Sequence, residues 1–369
     1  MSKARFNNLL HSNSIRSKPH TYLTEGSIGY CYNIMTILID NAYSKLSPND
    51  VLNSVEQFGY QCDGRLLALN SYENRVYRVG LDDGSSVVAK FYRPLRWTDE
   101  AILEEHAFTQ ELAELEIPVV APLEINQQTL LHTEDFRLSI FPNRGGRAPD
   151  LEDFDQLEQM GRFMGRIHQV GKTKAFEHRP DLTIDTFGSQ PRDFILKNNF
   201  IPADLVEAYS SLTAQLLTEA AQCYERAAHG QEGGVAMIRC HGDCHPSNIL
   251  WTSEGPHIVD FDDARMAPAV QDIWMFLAGD RAEMTIGLDA VLAGYTEFCD
   301  FDPRQLHLIE ALRSLRLIHY YGWLAKRWDD PAFKLAFPWF NTQRCWEDHI
   351  LSLREQAALL HEAPIDWYG

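Results

Sequence analysis

The chain has 369 residues, 45% of them hydrophobic and 11% aromatic, which excludes a disordered chain and allows two lobes with separate cores. Fifty-two acidic residues oppose 33 basic ones, for a formal charge of −19. That balance excludes sequence-independent nucleic-acid binding, which needs Lys and Arg to displace phosphate counterions, and no apolar run approaches the ~20 residues of a bilayer span.

Residues 1–34 are polar and basic, without amphipathic periodicity, and read as a disordered or non-native extension, with Met35 as an alternative start. Ser47-Pro48-Asn49-Asp50 opens a helix carrying Val51, Val55 and Phe58 at helical spacing. Short β-type runs follow at 65–68, 76–81 and 87–92, the last two joined by the turn Asp82-Asp83-Gly84-Ser85. A helix is expected over 99–115, then strands over 129–132 and 136–141, with 136–142 as the connection to a second lobe. Gly145-Gly146 breaks the pattern, and the remainder reads as mainly helical. Gly161 and Gly165 interrupt an apolar face of Leu157, Met160, Met164 and Ile167, and close helix packing is the physical reason to keep them. Long amphipathic helices fit 205–228 and 306–328. The fold class is therefore α+β and bilobal. A small lobe of antiparallel sheet plus helix spans 46–143, and a larger, mainly helical lobe spans 144–369.

Three segments carry chemistry: Val87-Val88-Ala89-Lys90; the run from His241 through Asp243 to Asn248; and Val259-Asp260-Phe261-Asp262. Phosphoryl transfer needs a positioned hydroxyl, a held triphosphate and neutralised charge. Asp243 has the type and place of the proton acceptor. Asn248, five residues on, and Asp260, after a short hairpin, supply the hard oxygen donors that Mg²⁺ prefers. Asp262 and Asp263 read as solvated or capping carboxylates, Asp272 as a helix-start residue that ties down the loop, and His168, after an apolar helix face, as a satisfied buried histidine.

These motifs resemble the aminoglycoside phosphotransferase and choline kinase branch of the protein-kinase-like superfamily. The segments LNSYENRVY, VVAKFYRPLRW, ILEEHAF, HGDCHPSNILW, VDFDDAR and PAVQDIWMF are similar, more closely, to the stress response kinase A (YihE/RdoA) family of Ser/Thr protein kinases. The resemblance runs from about residue 35 to the C-terminus and leaves residues 1–34 outside it. It implies a protein-kinase-like fold, ATP and Mg²⁺ as cofactors and a role in bacterial stress response. It further implies Asp243 and Asp260 as catalytic, Asn248 and Asp260 as metal ligands, and Lys90 on the phosphates. Lys90 is expected to pair with Glu105, or with its neighbour Glu104. The usual glycine-rich phosphate loop is replaced by Asn70-Ser71-Tyr72-Glu73-Asn74-Arg75, in which Ser71 and Asn74 are the expected nucleotide contacts. Arg316, His319 and Tyr320, with Arg313 and Tyr321, lie on an aromatic-rich helix and are candidates for the acceptor site.

The expected partner is a protein Ser/Thr hydroxyl, or alternatively a small hydroxyl-bearing acceptor such as homoserine, an amino alcohol, a sugar or an aminoglycoside. A rival of another class is a non-catalytic nucleotide-binding module. Cys240-His241-x-x-Cys244-His245 also has zinc-type ligands, which sets a metal sensor beside these readings. Seven widely spread cysteines, an odd number, read as reduced thiols in a cytoplasmic, monomeric protein without nucleic-acid or membrane partners.

Overall fold

The computed structural model describes Tyr43 and residues 45–367, so the extension expected at 1–34 lies outside the described residues. Ser47 starts α1 (Pro48–Glu56): its hydroxyl accepts from the Asp50 N–H while the Asp50 carboxylate accepts from the Ser47 N–H. Strands β1 (Cys62–Ala68), β2 (Arg75–Leu81) and β3 (Ser86–Phe91) follow as an antiparallel run. Gly84 closes the β2–β3 turn at a φ of +85°, where a side chain is strained. Helix α2 (Asp99–Glu114) is capped by the Thr98 hydroxyl. Strands β4 (Leu131–His132) and β5 (Arg137–Pro142) complete a five-stranded sheet of order β1-β2-β3-β5-β4. Lys90 stands on its central strand, opposite Val76 on β2 and Ser139 on β5.

Contrary to expectation, residues 136–142 are not the inter-lobe connection. They are a sheet strand with the residue before it, since Pro142 still pairs with Val87. Leu138 and Ile140 alternate into the small core with Tyr43, Val51, Val79, Ala89 and Phe91. The chain leaves the sheet only at Asn143.

The second part comprises α3 (Phe154–Gly171), a π-helical turn (Asp185–Ser189), α4 (Gln190–Lys197) and α5 (Val206–Ala227). Short strands β6 (Ile238–Cys240), β7 (Ile249–Thr252), β8 (Gly255–Ile258) and β9 (Arg265–Ala267) come next. Helices α6 (Val270–Ile273), α7 (Arg281–Tyr295), α8 (Ile309–Lys326), α9 (Pro331–Ala336) and α10 (Gln343–Leu360) close the chain. Its core is larger and gathers Met160, Trp274, Leu312 and Trp346 among many others. The architecture is thus α+β and bilobal. The glycine expectation holds: a methyl on Gly161 would collide with the Val291 carbonyl, and one on Gly165 with that of Tyr295. Helices α3 and α7 meet backbone to backbone because those side chains are missing.

Candidate active site

Strand β6 ends at a loop that is fixed from below. The buried Asp272 carboxylate accepts from the His241 N–H at 2.7 Å and the Gly242 N–H at 2.8 Å. His168 meets the same carboxylate at 3.1 Å and the Tyr295 hydroxyl at 3.0 Å through its other ring nitrogen. His241 bonds the Val259 carbonyl at 2.9 Å through Nε2. Gly242, at a φ of +84°, passes so close to the Asp263 carbonyl that a side chain has no room. These contacts leave Asp243 at the rim of the cleft.

The Asn248 side-chain amide donates to the Asp243 carbonyl at 3.0 Å, leaving its own oxygen available to a cation. The β7–β8 hairpin pairs Ile249 with Ile258, and the Val259 N–H donates to the Asn248 carbonyl at 2.9 Å. The separation of Asn248 from Asp260 is therefore set by two strands and one turn. Asp260 adopts left-handed φ/ψ of 62° and 63°, a conformation that Asp tolerates better than most residues. Its side chain is 52% exposed, and its Oδ1 lies 3.0 Å from Lys90 Nζ.

Lys90 bridges Asp260 and Asp262, whose Oδ1 is 3.1 Å away. Burial alone would lower the lysine pKa; the two carboxylates outweigh it and hold the value above the ordinary one. Asp262, expected to be solvated, is instead buried at 4% exposure between Lys90 and Arg96. Asp263 pairs with Arg96 at 2.9 Å and Arg265 at 2.8 Å. Neither is a cap; both neutralise buried cations.

The expected Lys90–Glu105 pair is not formed. Glu105 is fully buried with Oε2 lacking a hydrogen-bond partner. Burial raises its pKa to about 7, against the opposing pull of Lys90 and Arg179. Glu104 faces elsewhere and accepts the His178 N–H at 2.8 Å. Lys90 prefers the aspartates because both reach it within 3.1 Å. Ser71 lies half-buried in the β1–β2 loop. Asn74, expected to contact nucleotide, is buried, and its amide oxygen accepts the Arg93 N–H at 3.1 Å, so it shapes this loop from inside.

One face of α8 meets the cleft. Arg316 Nη1 is 2.6 Å from Asp243 Oδ1, a charge contact set off the hydrogen-bonding direction. His245 Nε2 is 3.5 Å from Oδ2. Burial pushes the Asp243 carboxyl up, and Arg316 and His245 more than reverse it, so the group stays ionised. His319 stacks on Phe187 at 4.0 Å, and burial drops its pKa to about 3. Tyr320 stacks on Trp323 at 5.7 Å. Arg313 and Tyr321 leave the candidate list, for they turn inward: Arg313 to Glu310 at 2.9 Å, Tyr321 onto His349 at 3.5 Å.

The four zinc-type residues do not converge. Cys244 lies against the Met164 sulfur at 3.7 Å, His245 faces Asp243, and His241 holds Val259. Cys240 groups instead with His168 and Asp272, the support of the loop. Glu73, Arg93, Arg96 and Arg327 also converge here, and sequence reasoning does not find them. Only the basic run after Lys90 hints at two of them.

Residues 65–309 match the model of the phosphotransferase enzyme family. Stress response kinase A of Escherichia coli strain K12 is 42% identical over 323 residues, covering 88% of this chain and 96% of that protein. The chain belongs to the stress response kinase A family of phosphotransferases. The serine/threonine protein kinase RdoA of Salmonella typhimurium is 41% identical over 328 residues, 88% of this chain and 98% of that one. An amicoumacin kinase solved with AMP-PNP and Ca²⁺ superposes with a TM-score of 0.66 at 19% identity, covering 88% of this chain and 96% of that one. A microcompartment-associated aminopropanol kinase gives 0.62 at 18%, covering 84% and 96%. Membership makes the protein an ATP-dependent kinase, and the superpositions place its fold with the small-molecule kinases.

Proposed function

We propose that this kinase moves the γ-phosphoryl group of Mg²⁺-bound ATP to a Ser or Thr hydroxyl of a protein, as a cytoplasmic monomer in bacterial stress response. The observation that carries the reading is Lys90 on the sheet meeting Asp260 on the opposite lobe at 3.0 Å, next to the Asp243–Asn248 loop. In this reading residues 46–143 hold the nucleotide, and residues 144–369 supply base, metal ligands and acceptor site. Lys90 and the loop around Ser71 hold the phosphates. The Asn248 amide oxygen and Asp260 carboxylate, both hard donors, fit Mg²⁺. When bound, Mg²⁺ supplies charge neutralisation across the phosphates. Asp243 orients the acceptor hydroxyl and takes its proton as the new P–O bond forms, and the bond to the β–γ bridging oxygen breaks to leave ADP.

The name of the Salmonella relative supports a protein acceptor. Arg316 supports it too: a guanidinium against the base opposes cationic amino alcohols and aminoglycosides, and tolerates a neutral or acidic peptide segment.

The test offers γ-labelled ATP and Mg²⁺ with a generic Ser/Thr protein, amino alcohols, homoserine and aminoglycosides, in parallel with Asp243→Ala. Label on protein, falling about 10²- to 10⁴-fold in the variant while ATP still binds, is the expected outcome. Label only on a small molecule moves the acceptor to metabolism; ATP bound without transfer overturns the reading.

A further inference from the structure

The β1–β2 loop runs Asn70-Ser71-Tyr72-Glu73-Asn74-Arg75 without a glycine, so backbone freedom is not what shapes it. A network of charges from the other lobe replaces that freedom. The Glu73 carboxylate, 8% exposed as a residue, accepts from Trp323 Nε1 at 2.6 Å. It also accepts from Arg327 Nε at 3.0 Å and Nη2 at 2.7 Å. Trp323 and Arg327 stand at the C-terminal end of α8 and just past it, one turn apart and on the same side as Arg316 and Tyr320. From the sheet side, Arg93 donates Nε to the Glu73 carbonyl at 2.9 Å and Nη2 to the Asp330 carboxylate at 2.8 Å. The Tyr72 ring rests on Phe337 at 4.7 Å. The loop is thus gripped between the sheet that bears Lys90 and the helix that touches Asp243.

A buried carboxylate is retained only if its partners compensate for lost hydration. Arg93 and Arg96 reach the Glu73 carboxylate from the sheet side at 3.2 Å and 3.9 Å, but the shorter contacts from Trp323 and Arg327 exist only while the loop lies on α8, so its charge ties the loop's position to the larger lobe. We propose that Glu73 is a positioning residue, which with Trp323 and Arg327 clamps the phosphate-covering loop to the catalytic lobe and so sets nucleotide affinity. The inference rests on the reading that this loop covers the phosphates of ATP.

Glu73→Gln keeps the shape and an acceptor for Trp323 but removes the charge. Arg327→Gln acts from the far side of the clamp and leaves the loop's own sequence unchanged, and decides the question alone if Glu73→Gln fails to fold. Full-length variants are assayed for ATP KM, kcat, melting temperature and direct ATP affinity. The expected result is an ATP KM raised about tenfold in each single variant, with kcat changed far less. The double variant is expected to go no further than either single one, because the two residues act through one contact. A purely structural role would lower the melting temperature and leave ATP KM in place. That result, in a wild-type protein that binds ATP and transfers phosphate, overturns the clamp. A wild type that binds no ATP overturns instead the reading beneath it.

Discussion

Glu105 is a buried acid beside a lysine that prefers other partners. Its pKa of about 7 lies above its ordinary 4.5, so the native state holds the proton more tightly than the unfolded chain does. Stability from this group is intact below pH 4.5 and declines as pH rises to about 7, where the ionised form becomes the buried one. Glu105→Gln is therefore expected to stabilise the protein at about pH 8, by on the order of 3 kcal/mol, and to do nothing near pH 4. Urea unfolding at both values checks it; an equal effect at the two would contradict the assignment. That Lys90 meets Asp260 and Asn248 meets Asp243 is legible in the sequence because their types and order within short stretches follow one motif. Glu73 and Arg327 are not, since they meet across 254 positions of chain, and no local pattern marks such a pair. Asp262 escapes a sequence reading for the same reason: its burial is decided by Arg96 and Lys90, from a different lobe.

At the level of elements, period and capping are directly readable. The Ser47 cap, the turn at Gly84 and the helix over α2 follow from local signals alone. The strand expected over 136–141 is present as β5, but the point where the chain leaves the sheet is not legible, because a short apolar run with a proline at its end carries no sign of how far it pairs. The spacing of Gly161 and Gly165 points to helix packing but not to the partner helix. That contact yields a sharp comparison. Gly161→Ala drives a methyl into the α7 backbone and is expected to cost about 1–3 kcal/mol. Gly145→Ala, with open space around it, should fall within about 0.5 kcal/mol of wild type. Urea midpoints of the two variants decide it, and equal values would mean that α3 and α7 are not in backbone contact.

At the level of the molecule, the lobes are joined by charge. Arg93 to Asp330, Arg327 to Glu73 and Lys90 to Asp260 all cross between sheet and helices. Nucleotide with Mg²⁺ at about a hundredfold over its Kd is expected to add about 2.7 kcal/mol to the native state and raise a single melting transition. EDTA should remove that rise and leave the nucleotide-free melting temperature unchanged; differential scanning calorimetry reads both. Two separate transitions, only one of them shifted, would show lobes that do not cooperate.

The two thiols bracketing Asp243 have a consequence of their own. Burial holds both Cys240 and Cys244 well above the ordinary cysteine pKa, and neither has solvent contact. Only a thiolate reacts readily with peroxide or a foreign disulfide. Cys62, the one partly exposed cysteine among the described residues, is itself pushed up to about 11. The loop that carries Asp243 is thus flanked by two thiols that burial keeps protonated and out of solvent, the form and place in which sulfur reacts least with oxidants.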